Sequence, residues 1–124
     1  MSSCESPLPR DVWRALNHMK GELSRAFRLH ELAAVAGVAP RTLQKNFRRF
    51  LGRTPRVMLQ ELRLEAARRA LLAAAADVGV TRIARTCGFT HLGRFAIDYR
   101  RRYEEAPSET LRRRAEALGW NPWR

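Results

Sequence analysis

The chain repeats itself, and the repeat carries hydrophobic, glycine and proline positions together, which restricts the fold to two copies of one small unit. Leu32-Ala33 recurs as Ile83-Ala84, and Gly37-Val38 as Gly88-Phe89, each 51 positions further on. After that turn the offset becomes 52: Leu43 recurs as Phe95, Phe47 as Tyr99, Arg48-Arg49 as Arg100-Arg101 and Pro55 as Pro107. One extra residue therefore sits in the second turn.

Within the first copy, residues 29–50 read as two short helices around a tight turn. Leu29, Leu32, Ala33 and Ala36 supply the apolar face of the first helix, and Gly37 permits the reversal. Leu43, Phe47 and Phe50 form the apolar stripe of the second, leaving Arg41, Gln44, Lys45, Arg48 and Arg49 on the other side. A helix that buries one face on a partner helix and turns Arg, Gln and Lys outward has the layout of a reader of the DNA major groove.

The remaining elements frame these two units. Residues 1–10 read as a loose lead-in. Residues 11–23 read as an amphipathic helix, with Val12, Trp13, Leu16, Met19 and Leu23 spaced for burial and Trp13 as a core anchor. Residues 11–53 then make a first helix-turn-helix subdomain, with Gly52 as the helix-stop residue. Thr54 as N-cap and Pro55 at the first helical position start a long linker helix within residues 54–76. Leu59, Leu62, Ala66 and Ala70 mark its inner face, with Glu61, Glu65 and Arg69 as an outward i,i+4 series. A break at residues 77–79 opens a second subdomain over residues 77–119, closed by a helix from Pro107 to about Leu118 and stopped by Gly119. Residues 120–124 form a tail whose Trp120 and Trp123 pack back on the body. The expected fold is all-α, with about seven helices in two helix-turn-helix subdomains joined by the linker helix.

Charge narrows the partner. The 124 residues carry 24 basic and 12 acidic side chains, a formal net charge of +12. Such an excess calls for a polyanion, nucleic acid first and an acidic membrane surface second. The longest wholly apolar run, residues 70–76, is far short of the roughly 20 residues needed to span a bilayer, and the N-terminus has no apolar signal core. Cys4 and Cys87 make no disulfide framework, and Cys87 reads as a small buried residue, which points to a reducing cytoplasm. His18 and His30 read as packing or surface residues, so no metal or cofactor is expected. With no P-loop, no dinucleotide fingerprint and no Ser/Cys–His–Asp set, the sequence does not read as an enzyme.

Three stretches carry a resemblance: LAAVAGVAPRTLQKNFRRFLGRTP, LRLEAARRALL and IARTCGFTHLGRFAIDYRRRYEEAPSETLRR. Together they make residues 10–115 similar to the DNA-binding domain of the AraC/XylS family of bacterial transcription regulators. The resemblance implies two recognition helices in adjacent major grooves of double-stranded DNA, and binding as a monomer. It also implies activation of transcription through RNA polymerase, in the cytoplasm at the nucleoid. Carried over by position, it assigns base reading to Arg41, Gln44 and Lys45 in the first unit. Arg and Lys suit guanine O6 and N7, and Gln suits adenine N6 and N7.

In the second unit the outward positions are His91, Gly93, Arg94 and Ile97. Of these, His91 and Arg94 offer hydrogen bonds, Ile97 offers a surface for a thymine methyl, and Gly93 has no side chain. Ile97 stands where the family commonly has Arg, so this half is expected to discriminate bases less sharply. Phosphate contacts fall to Arg48, Arg49, Arg100 and Arg101. Glu104 stands where a helix-ending Gly is usual, and Ala39 and Gly79 where a capping Ser is usual. Two other readings stay open: the DNA-binding fragment of a longer effector-responsive regulator, and a basic protein that binds nucleic acid without sequence preference.

Overall fold

A computed structural model describes residues 8–75 and 77–119. The tail at residues 120–124, the first seven residues of the lead-in (Cys4 among them) and Ala76 lie outside the described residues. Seven α-helices and no strand make up the secondary structure described, so the fold is all-α. In chain order they are α1 (Arg10–Gly21), α2 (Leu29–Ala36), α3 (Pro40–Leu51), α4 (Pro55–Leu72), α5 (Val80–Thr86), α6 (Leu92–Tyr103) and α7 (Pro107–Ala117). They fall into two compact units that divide inside α4, between Leu62 and Arg63.

In the first unit, Val12, Ala15, Leu16 and Met19 of α1 make a stripe at i, i+3, i+4 and i+7. It packs with Leu32, Ala33 and Ala36 of α2, Leu43 and Phe47 of α3, and Leu59 and Leu62 of α4. Two aromatics expected in this core are outside it. Trp13 is 48% exposed and Phe50 44%. Trp13 is out of helical phase, turned about 100° from Val12, whereas Phe50 shares the phase of Leu43, seven residues earlier, and stands in the last turn of α3. The Arg49 guanidinium covers the Phe50 ring at 5.4 Å instead. The chain leaves α1 at Gly21, so Leu23 reaches the core from the following loop and is only half-buried.

The second core joins Leu64, Ala67 and Leu71 of α4 to Ile83, Ala84, Cys87 and Phe89, and to Phe95 and Tyr99 of α6. Its aromatics run as a ladder, with ring centroids 4.4 Å apart for Phe89–Phe95, 5.7 Å for Phe95–Tyr99 and 4.8 Å for Tyr99–Tyr103. Burial raises the Cys87 thiol pKa, against the opposing pull of Arg69, as befits a packing residue.

The reading of α4 needs correction on three points. The helix ends at Leu72, short of the expected bound at residue 76. Leu64, Ala67 and Leu71 are its buried positions beyond Leu62, while Ala66 and Ala70 are only partly buried. A single inner face was the wrong expectation because α4 supplies two cores in succession, so no one apolar stripe runs its length. The outward Glu61 and Glu65 carboxylates reach beyond the helix: Arg53 donates to Glu61, and Arg102 donates to Glu65 at 3.0 Å. Thr54 caps the helix as its type suggests, its hydroxyl accepting from the Val57 N–H at 3.2 Å.

Candidate nucleic-acid interface

Each unit builds its outward helix in the same way. At the end of α2 the Val38 N–H donates to the Ala33 carbonyl at 3.1 Å, and after α5 the Phe89 N–H donates to Ala84 at 3.0 Å. These are equivalent bonds 51 residues apart. Both require the left-handed backbone that Gly37 (φ +78°) and Gly88 (φ +100°) supply. From Gly37 the chain takes two residues to Ala39, the N-cap of α3. From Gly88 it takes three, to His91, the N-cap of α6. Thr90 is thus the inserted residue that shifts the repeat offset. Neither Ala39 nor Gly79 makes a side-chain cap, in keeping with their lack of a polar side chain.

On α3, Arg41, Gln44, Lys45 and Arg48 lie at i, i+3, i+4 and i+7, one stripe on the side away from buried Leu43 and Phe47. All four are exposed, and among the described residues none has an ion pair or side-chain hydrogen bond. Arg49, also exposed, flanks the stripe. The helix is anchored from behind. Asn46 donates from Nδ2 to the Asp11 carboxylate of α1 at 2.8 Å, and Asp11 is 8% exposed. Sequence reasoning missed this anchor, because nothing in the local pattern links residues 35 apart.

On α6 the corresponding face is chemically different. Applying the offset of 52 to Arg41, Gln44, Lys45 and Arg48 gives Gly93, Ala96, Ile97 and Arg100, and all four are exposed. Ala96 is a position the sequence reading overlooked, although the offset applied to Gln44 finds it. Ile97 is 54% exposed. Arg94 lies off this stripe, the equivalent of Thr42, and its Nε is 3.3 Å from Asp98 one turn on. His91 is exposed at the N-cap. Arg100 faces Glu109 of α7 at a loose 3.9 Å, and exposed Arg101 has no ion pair among the described residues.

The end of α6 is fixed by a polar cluster. The Tyr99 and Thr110 hydroxyls are 2.8 Å apart, and Arg68 donates to Tyr99 at 3.2 Å and to Glu105 at 3.0 Å. Thr110 also donates to Glu105, and Arg113 forks onto both its oxygens at 2.6 and 2.5 Å. The Thr110 hydrogen bond, then Arg113 and Arg68, hold the Glu105 carboxyl below the usual range against partial burial. Glu104, equivalent to Gly52, ends α6 in the left-handed region at φ +60°, against +71° for Gly52. The turn geometry of the glycine-ended copy is therefore kept, with an L-residue in a glycine conformation.

Two helix-turn-helix units, each turning the second helix of its pair outward with basic residues along it, define a DNA-binding protein of the double helix-turn-helix class. Comparison with known proteins places it more closely. A family described as "Helix-turn-helix domain" matches residues 32–113. The structure of a probable AraC family transcriptional regulator from Rhodopseudomonas palustris CGA009 superposes with a TM-score of 0.79 at 34% identity, over 86% of this chain and 98% of that one. A probable thc operon regulatory protein of Rhodococcus erythropolis is 39% identical over 106 residues, 85% of this chain and 32% of that protein. A XylDLEGF operon transcriptional activator of Pseudomonas putida is 39% identical over 100 residues, 80% of this chain and 31% of that protein.

The chain belongs to the AraC/XylS family and matches its helix-turn-helix domain. It spans about a third of the length of those two relatives.

Proposed function

We propose that this chain reads double-stranded DNA by placing α3 and α6 in adjacent major-groove segments. In α3, Arg41, Gln44 and Lys45 face base edges; in the second unit Ile97 does so from the stripe of α6, with N-cap His91 and Arg94 reaching bases from beside it. Arg48, Arg49, Arg100 and Arg101 hold phosphates. One observation carries the reading: Arg41, Gln44, Lys45 and Arg48 form a single exposed stripe opposite buried Leu43 and Phe47, without internal partners among the described residues. Side chains so disposed are free to exchange water for guanine, adenine and phosphate.

The protein acts at the nucleoid, binds as a monomer, and activates transcription through RNA polymerase. The relative named a transcriptional activator supports activation as the direction of control. Among the described residues no helix is long and apolar enough to cross a membrane.

Selection of bound duplexes from a random pool, followed by competition with scrambled DNA at matched salt, tests the reading. Enrichment of one motif, bound at least about a thousandfold more tightly than scrambled sequence, is expected. Equal affinity for every sequence would identify a charge-driven, non-specific binder instead.

A further inference from the structure

The two outward helices are repeat equivalents, yet their stripes carry opposite chemistry. Where α3 presents Arg41, Gln44 and Lys45, α6 presents Gly93, Ala96 and Ile97. Neither the Ala96 nor the Ile97 side chain donates or accepts a hydrogen bond, and Gly93 has no side chain. The nearest donor on that helix, Arg94, lies off the stripe beside Asp98 at 3.3 Å. Single exposed apolar residues are ordinary on protein surfaces. This one differs by its place. Ile97 is 54% exposed in the middle of a helix whose preceding stripe positions, Gly93 and Ala96, are small, and it takes the place of Lys45 in the other copy.

In the major groove the one apolar feature of the four base pairs is the C5-methyl of thymine. Glycine at position 93, with no heavy atom within 4 Å of a Cβ built there, leaves room for close approach of the helix backbone to the duplex.

We propose that the second unit selects thymine through its C5-methyl, held against Ile97 and Ala96, while the first unit selects purines by hydrogen bonding. The inference rests on the DNA-reading function above and specifies what α6 reads. The two helices then make a composite reader, whose halves respond to different chemical changes in the same site.

The test uses the full chain and a synthetic duplex carrying the motif selected from random DNA, with each thymine replaced in turn by deoxyuridine. That change removes only the methyl and leaves base pairing intact. In the half facing α6, at least one replacement is expected to weaken binding about fourfold, the factor that ~0.8 kcal/mol of methyl transfer supplies. Replacements in the half facing α3 should have little effect. Ile97→Ala, a change at an exposed position that leaves the melting temperature unaltered, should erase the difference between thymine and uracil. Ile97→Arg should move the preference at that base pair from thymine to guanine.

A selected motif that tolerates every uracil, or a methyl effect that survives Ile97→Ala, overturns the inference and leaves the DNA-reading function standing. A pool that yields no motif at all overturns both.

Discussion

Glu104 offers the sharpest link between sequence and energy in this protein. It ends α6 at φ +60°, where its repeat equivalent Gly52 ends α3 at φ +71°. The Glu104 N–H donates to the Arg100 carbonyl at 2.8 Å, as the Gly52 N–H donates to Arg48 at 3.0 Å, so the cap is made in both copies. An L-residue in that region costs roughly 1–2 kcal/mol through the clash of Cβ with the carbonyl. Replacement by glycine removes the clash but loosens the unfolded chain, at a cost of ~0.4–1 kcal/mol. The Glu104 side chain is exposed and makes no ion pair among the described residues, so little else changes. Glu104→Gly should therefore stabilise the second unit by about 0.5–1 kcal/mol. The converse change, Gly52→Glu, should destabilise the first unit by a similar amount. Urea unfolding at fixed ionic strength, followed by circular dichroism, measures both. A neutral or destabilising Glu104→Gly would show that the left-handed backbone is not the source of strain.

Other outcomes follow from the same geometry. Arg41→Ala or Gln44→Ala should cost about 1–3 kcal/mol on the selected site and relax specificity at one position; equal losses on random DNA would reassign these side chains to phosphate. Arg100→Ala should weaken binding to all sequences and reduce the salt slope by about one, and an unchanged slope would remove Arg100 from the interface. Phe47→Ala should cost about 3–5 kcal/mol in the first unit, and Tyr99→Ala a similar amount in the second, since both side chains are fully buried; unaltered melting would mean the cores are misplaced. The pKa of Glu105 is lowered in the folded state, so its contribution is full above the ordinary carboxyl range and is lost as pH falls through the folded pKa. The urea midpoint of the second unit should fall on acidification below about pH 4, and Glu105→Gln should flatten that fall. An identical acid profile for the variant would place the sensitivity elsewhere.

The local pattern disclosed most of this fold because helix stops, turns and apolar spacing are short-range properties. Gly37, Gly88 and Thr54 announce their backbone roles within a few residues. Leu43, Phe47, Phe95 and Tyr99 are buried as their spacing requires. Misreadings arose where residue type was weighed above phase. Trp13 is as apolar as the residues of the stripe but about 100° out of phase with Val12, and Ala15, one turn from Val12 and Met19, fills the core place. Illegible altogether were the polar anchors that cross between helices: Asn46 to Asp11, and Glu105 to Arg68, Thr110 and Arg113. Their partners lie up to 37 residues apart, and no periodicity encodes such a meeting. On the outward faces, identity and exposure together tell the chemistry. Ala96 entered only once the repeat offset was applied to Gln44.

Base-removal interference on the selected site tests the central claim most directly. Duplexes lacking one base each are sorted into bound and free fractions, and the missing bases are mapped. The account predicts two clusters of essential bases about one helical turn, roughly 10 base pairs, apart. Gln44→Ala should blunt one cluster and Ile97→Ala the other. A single cluster sensitive to both substitutions, or binding indifferent to every missing base, would contradict it.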